Sequence, residues 1–147
     1  MAPLVVEAGL LRTEVQVLDD GGAWRSRALV LDLGSSRAVT LLPGDFERMA
    51  VASAEQGTLR FSNARGDAME AKVRVAAGVR FAGTGWAAVP VSEAVWHPDY
   101  APPLALGVIG WPLLARHRVT VDVAAGRIEL GPSEPGCAGV GAPRSGV

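Results

Sequence analysis

Cysteine is almost missing from this 147-residue chain, and the single one, Cys137, lies in a segment rich in glycine and proline. No intrachain disulfide and no cysteine-based metal cluster can therefore form. The chain also has no excess of positive or negative charge, since it contains 14 Lys and Arg residues and 15 Asp and Glu residues, for a formal net charge of -1. Nucleic-acid binders need a basic excess to match the phosphate backbone, so we expect no nucleic-acid partner.

Long apolar runs are also missing, because none approaches the roughly 20 residues that a membrane-spanning helix needs. Near the start, Leu4, Val5 and Val6 form an apolar patch, but Glu7 interrupts it and no basic residue precedes it. This pattern does not match a signal peptide. We therefore expect no membrane association, and a cytoplasmic location is the default.

What the chain does contain is alternation of apolar and polar residues with a period of two, which is typical of strands with one buried face. Val15 and Val17 alternate with polar neighbours, and so do the apolar members of 69–75. Turn-forming residues at 19–22 and 63–67 predict hairpins between such strands. The pattern indicates an all-β protein.

The pattern predicts few helical segments. Residues 43–50 are predicted as a short helix or turn, and 111–117 as the best helix, with Trp111, Leu113 and Leu114 covering the core. Residues 11–130 are predicted to form one domain. The remainder, 131–147, is rich in Gly, Pro, Ser and Ala with little to bury, so we expect a disordered tail there.

Asp32 is the acidic residue that departs from the solvated alternation. It ends the apolar run 28–31, where an ionised carboxylate loses hydration unless hydrogen bonds compensate. Gly34 lets the backbone turn sharply after it, and the hydroxyls of Ser35 and Ser36 are able to hydrogen-bond a carboxylate. Two interpretations stay open, a catalytic carboxylate or the cap of a turn in an inactive domain.

The segment 29–36, Leu-Val-Leu-Asp-Leu-Gly-Ser-Ser, resembles the Asp-Thr-Gly-Ser/Ala-Ser segment of aspartic proteases with its preceding apolar strand. Further resemblances follow in the family's order. Residues 61–66 are similar to the flap region of bacterial retropepsin-like proteins, 107–114 to the glycine-ended strand that leads into the family's helix, and 119–130 to its terminal hairpin. The chain thus resembles retropepsin-like aspartic proteases of the bacterial single-lobe type over roughly 11–130, which is nearly all of the part expected to be ordered.

This resemblance implies a closed, mostly antiparallel β-barrel with one short C-terminal helix. The chain has one Asp-x-Gly in this context, so it represents one lobe, and the resemblance implies a homodimer in which Asp32 of each subunit forms the catalytic pair. One carboxyl group acts as base toward a bound water and the other as acid toward the substrate carbonyl. The implied partner is a peptide or protein in extended conformation, and no metal or organic cofactor is required.

The resemblance also assigns roles around Asp32. The residues implied in substrate binding are Gly34, Asn63 and Gly66. The residues implied in support of the active site are Leu33, Ser35, Ser36, Ile109 and Gly110. The tip of the flap, 63–67, is expected to be mobile because it must open for substrate.

The sequence departs from the family at Leu33, where the family has Thr or Ser, whose hydroxyl braces the loop against the partner lobe. Leucine cannot form that hydrogen bond. An alternative function therefore stays open, namely a catalytically inactive retropepsin-like domain for dimerisation or peptide binding. An unrelated β-barrel binding module is a third hypothesis, which leaves Asp32 and the helix unexplained. We also expect a partner subunit to cover the apolar face of 128–130.

Overall fold

The computed structural model describes residues 1–49, 57–63, 65–96 and 106–132. Ten strands and two short helices occur in these ranges. The strands are β1 (Ala2–Glu7), β2 (Leu10–Leu18), β3 (Trp24–Asp32), β4 (Val39–Leu41), β5 (Gly57–Ser62), β6 (Ala68–Phe81), β7 (Thr84–Glu93), β8 (Gly107–Gly110), β9 (Val119–Asp122) and β10 (Arg127–Leu130). The helices are α1 (Pro43–Met49) and α2 (Trp111–Leu114).

Six of these strands close into a barrel. Around the ring the order is β2, β3, β8, β4, β7 and β6, and β6 returns to β2 through the pairing of Val79 with Val17. The pairs β3–β8 and β4–β7 are parallel, and the other pairs are antiparallel. The predicted closed, mostly antiparallel barrel is therefore confirmed.

The core is filled by apolar side chains from the alternating strands and from both helices. The largest fully buried side chains are Phe46, Leu29, Leu41, Ile109, Leu114, Ile128, Val15, Val17, Val39, Val79 and Val91. Full burial of one such aliphatic side chain stabilises the fold by about 1.5 to 3 kcal/mol. The core therefore fixes the positions of β3, β4 and β8, the three strands around Asp32.

The hairpin between β2 and β3 shows why the turn residues were informative. Gly22 adopts a positive φ of 79°, which glycine tolerates without steric cost. Its N–H donates to the Asp19 carbonyl at 3.0 Å, and the Asp19 carboxylate accepts the Ala23 N–H at 2.8 Å. The Arg25 side chain donates to the same carboxylate at 2.8 Å. The hairpin predicted at 19–22 is confirmed.

The chain ends fold onto the barrel. Strand β1, which precedes the expected domain start at residue 11, pairs with both β2 and β10. Ile128 on β10 is fully buried in the single chain, so the expectation that a partner covers the apolar face of 128–130 is wrong at this residue. Of the predicted tail, 133–147 lie outside the described residues.

Both helices lie where the sequence predicted them, but the second is shorter. Helix α1 falls within 43–50, which was predicted as a short helix or turn, and helix α2 ends at Leu114 instead of residue 117. Leu113 and Leu114 are buried as predicted, but Trp111 is 45% exposed, so its assignment to the core is wrong. Within the described ranges, no helix has the length and apolar character needed to cross a membrane.

Candidate active site

Asp32 is positioned by the parallel pairing of β3 with β8. In that register Asp32 lies beside Gly110, and Leu31 lies beside Ile109. Ile109 also pairs with Val39 of β4, so β8 holds both strands that flank the loop 33–38. Ile109 is fully buried, which anchors this arrangement in the core. The carboxylate is thus presented where a core strand leaves the barrel.

Gly110 allows the loop 33–38 to approach the strand closely. Its N–H donates to the Ala38 carbonyl at 2.9 Å. A Cβ on Gly110 would overlap the Arg37 carbonyl oxygen and lie 3.0 Å from the Ser35 Cβ. Since real Cβ atoms avoid such contacts, any larger residue at 110 would displace the loop that follows Asp32.

The Asp32 carboxylate is held by the turn that it begins. Its Oδ1 accepts the Gly34 N–H at 2.9 Å, and its carbonyl accepts the Ser35 N–H at 3.1 Å. A Cβ on Gly34 would lie 3.3 Å from Oδ1, so glycine gives this contact room. The side chain is nevertheless exposed, so the loss of hydration predicted for Asp32 is not found in the single chain.

The two serines do not hold the carboxylate. The Ser35 hydroxyl accepts the Arg37 N–H at 3.2 Å and lies 3.4 Å from the Arg37 carbonyl, to which it donates. Serine hydroxyls commonly hydrogen-bond to backbone groups two residues away. These bonds replace the expected hydrogen bond from Ser35 to the Asp32 carboxylate. Ser35 therefore braces the loop, while Ser36 is exposed.

Two large apolar side chains stand exposed beside the carboxylate. Leu33 follows Asp32 and Trp111 follows Gly110, so both lie just beyond the paired ends of β3 and β8. Their exposed fractions are 47% and 45%. Contiguous exposed apolar patches rimmed by polar residues are typical of interaction surfaces.

The second part of the site is the hairpin of β5 and β6, which we call the 57–81 hairpin. At its tip the Asn63 side-chain oxygen accepts the N–H groups of Arg65 and Asp67, at 3.0 and 2.9 Å. Its amide nitrogen donates to the Asp67 carboxylate at 3.0 Å. Gly66 has a positive φ of 83°, which suits glycine. The Asn63 side chain is thus committed to shaping the tip.

Arg37 connects the hairpin to the loop of Asp32, and sequence reasoning missed it. Its guanidinium carbon lies 4.3 Å from the centre of the Phe61 ring. One of its nitrogens is 3.4 Å from the Ser92 hydroxyl and 3.5 Å from the Glu93 carbonyl. Burial lowers the pKa of the Arg37 guanidinium below its usual value, while the charge of Asp32 raises it.

The structure therefore places the predicted residues in two groups. Asp32, Gly34, Ser35 and their neighbours in β8 meet at the end of β3, whereas Asn63 and Gly66 lie at the tip of the 57–81 hairpin. The Arg37–Phe61 contact links the loop of the first group to the strand that carries the second. A charged residue five positions after Asp32 was the available signal for Arg37.

Comparison with known proteins gives one informative likeness. No protein-family model matches this chain, and no curated protein sequence does either. The fold is similar to the crystal structure of a retropepsin-like aspartic protease from Rickettsia conorii, with a TM-score of 0.57 over 83% of each chain. The two sequences are 12% identical, so the likeness shows the fold alone.

Proposed function

We propose that this chain is an aspartic endopeptidase that acts as a homodimer, with Asp32 of each copy forming the catalytic pair. The observation that carries this proposal is the turn at the end of β3, in which the Gly34 N–H holds the Asp32 carboxylate at 2.9 Å while its side chain stays exposed. The similarity of the fold to a retropepsin-like aspartic protease supports the same reaction.

The reaction requires two carboxyl groups with one proton between them. The ionised carboxylate accepts a proton from a bound water, and the oxygen of that water attacks the carbonyl carbon of the scissile peptide bond. The protonated carboxyl group donates to the carbonyl oxygen. The Gly34 N–H fixes Oδ1 of Asp32, and Oδ2 accepts no hydrogen bond from the described residues, so it is free to face the water.

A single chain provides half of such a site. Asp32, Leu33 and Trp111 are all exposed at one end of the β3–β8 pair. A second copy packed on this surface would bury the apolar groups and bring the second carboxyl group. A symmetric dimer places the same patch on both subunits, which matches a catalytic pair built from two identical aspartates.

The substrate is an extended peptide. Among the described residues, β5 is an edge strand of the sheet, so the edge that faces away from β6 pairs with no other strand. Extended peptides bind such edges through main-chain hydrogen bonds, with alternate side chains in pockets. The contact of Arg37 with Phe61 links the 57–81 hairpin to the loop of Asp32, which supports a role for this hairpin in covering a bound peptide.

A non-catalytic domain for dimerisation or peptide binding is the second candidate. Leu33 favours it, because a 47% exposed leucine replaces the hydroxyl that the resemblance implies at this position. Such a domain keeps the exposed apolar surface and the peptide-binding hairpin, but its binding function does not depend on the ionisation of Asp32.

Cleavage of a diverse peptide library from acid to neutral pH separates the candidates. The wild type is expected to cleave, and Asp32→Asn is expected to be inactive. Asp122→Asn is the matched control, because Asp122 also accepts a backbone N–H in a turn after a strand, from Ala125 at 2.9 Å. It should keep full activity. Equal cleavage by the wild type and Asp32→Asn would overturn the endopeptidase.

A further inference from the structure

Arg37 is held at the site by weak anchors. The distances from its guanidinium to the Ser92 hydroxyl and the Glu93 carbonyl, 3.4 and 3.5 Å, are at the long end of hydrogen bonding. Ser92 is itself engaged with Thr40 at 3.2 Å and with the Val39 carbonyl at 3.4 Å. The guanidinium therefore keeps most of its donor capacity.

Arg37 joins the two groups of the site through its contact with Phe61. The loop 33–38 carries it on one side, and its guanidinium stacks on Phe61 of β5 on the other. Stacking on an aromatic face orients the planar fork of arginine without using its N–H groups. Burial lowers the pKa of the Arg37 guanidinium, and the charge of Asp32 acts in the opposite direction, so the two groups interact electrostatically.

Arg37 also differs from most other arginines of the chain in having no acidic partner. Among the described residues it forms no ion pair, whereas seven other arginines pair with carboxylates. These are Arg12, Arg25, Arg27, Arg60, Arg65, Arg74 and Arg127. Arginine binds carboxylates with two parallel hydrogen bonds, and the Arg37 guanidinium forms no such contact among the described residues.

We propose that Arg37 is a specificity-determining residue that binds an acidic side chain of the peptide substrate close to the scissile bond. This inference rests on the proposed function, since it names the substrate class of the same site. An extended peptide advances about 3.3 Å per residue, so a group on the loop that follows Asp32 reaches a side chain within about two residues of the cleaved bond.

Paired peptides with Glu or Gln at each position around a cleavage site test this inference. The wild type should cleave the best Glu peptide with a kcat/KM about 10- to 100-fold above that of its Gln partner, as expected for charge-assisted hydrogen bonds. Arg37→Gln should bring the ratio near one, because it should slow cleavage of the Glu peptide much more than cleavage of its Gln partner. Arg37→Lys should keep an intermediate ratio, because lysine keeps the charge without the planar fork.

Arg25→Gln is the matched control, since Arg25 lies near the start of β3, the end opposite Asp32, and pairs with Asp19. It should keep the wild-type ratio. A wild type without preference for Glu, or an Arg37→Gln protein that keeps the preference, would overturn the inference. Equal slowing of Glu and Gln peptides by Arg37→Gln would also overturn it, because it indicates a purely structural role.

Binding of the same peptides to Asp32→Asn, measured by fluorescence anisotropy, separates this inference from the proposed function. Tighter binding of Glu peptides that Arg37→Gln abolishes in the same background supports the inference even if the wild type cleaves nothing. Cleavage by the wild type without any acidic preference in binding or turnover keeps the protease and rejects the role of Arg37.

Discussion

Leu33→Ala should weaken the proposed dimer about 40-fold. The change removes three carbons from a side chain that is 47% exposed in the single chain. Each buried carbon contributes about 0.8 kcal/mol, so covering the exposed part contributes about 1.1 kcal/mol per copy. Both copies of a symmetric dimer are changed, which gives about 2.2 kcal/mol, or about 40-fold in the dissociation constant.

Sedimentation equilibrium over a dilution series measures this constant. The matched control is Val123→Ala, because Val123 is 54% exposed but lies in the β9–β10 turn, separated from β3 by β2, β1 and β10 in the sheet. It should leave dimerisation unchanged. An unchanged constant for Leu33→Ala, or an equal weakening by Val123→Ala, would refute the assignment of Leu33 to the subunit interface.

Two further predictions concern stability, both read from urea unfolding. Gly110→Ala should lower the free energy of unfolding by about 1 to 3 kcal/mol, because the added methyl group overlaps a carbonyl of the neighbouring loop. Gly57→Ala is the control, because its Cβ meets nothing within 4 Å, and it should leave the free energy of unfolding unchanged. Equal losses in the two variants would contradict the packing argument. The hydrogen bond from Arg25 holds the pKa of Asp19 below its usual 3.8. The ionised carboxylate therefore stabilises the fold above pH 3.8, and this stabilisation is lost as the pH falls through the lowered pKa of the folded protein. Asp19→Asn should therefore be less stable than the wild type at pH 7 but not in strong acid, and a difference independent of pH would count against this account.

The barrel was predictable from the sequence because its signals are local. Alternation around Val15 and Val17 identifies the buried face of β2, and the turn residues at 19–22 identify the hairpin to β3. The end of α2 was not predictable, since residues 115–117 have acceptable helix propensity and tertiary contacts decide where the helix stops. Tertiary contacts also decide the exposure of Trp111, because the periodicity of a short helix does not show which of its side chains the rest of the fold covers.

The site was predictable in part. Asp32 and Gly34 are adjacent in sequence, so their turn follows from local chemistry, and Gly110 was indicated by the resemblance. The hydroxyl of Ser35 was expected on the carboxylate, but competing backbone groups of the same loop are nearer. Arg37 was missed because its stacking on Phe61 joins residues 24 positions apart, and no single-sequence pattern reports such a contact.

The central claim is that one active site is built from Asp32 of two copies, and mixing experiments test it most directly. Wild-type protein at fixed concentration is equilibrated with Asp32→Asn and assayed for peptide cleavage, with Asp122→Asn mixed in the same way as the control. Random pairing at equal amounts leaves about half of the wild-type chains in wild-type dimers, so the rate should fall to about half, and to about one tenth at ninefold excess. A rate that does not change as Asp32→Asn is added would contradict a shared catalytic pair.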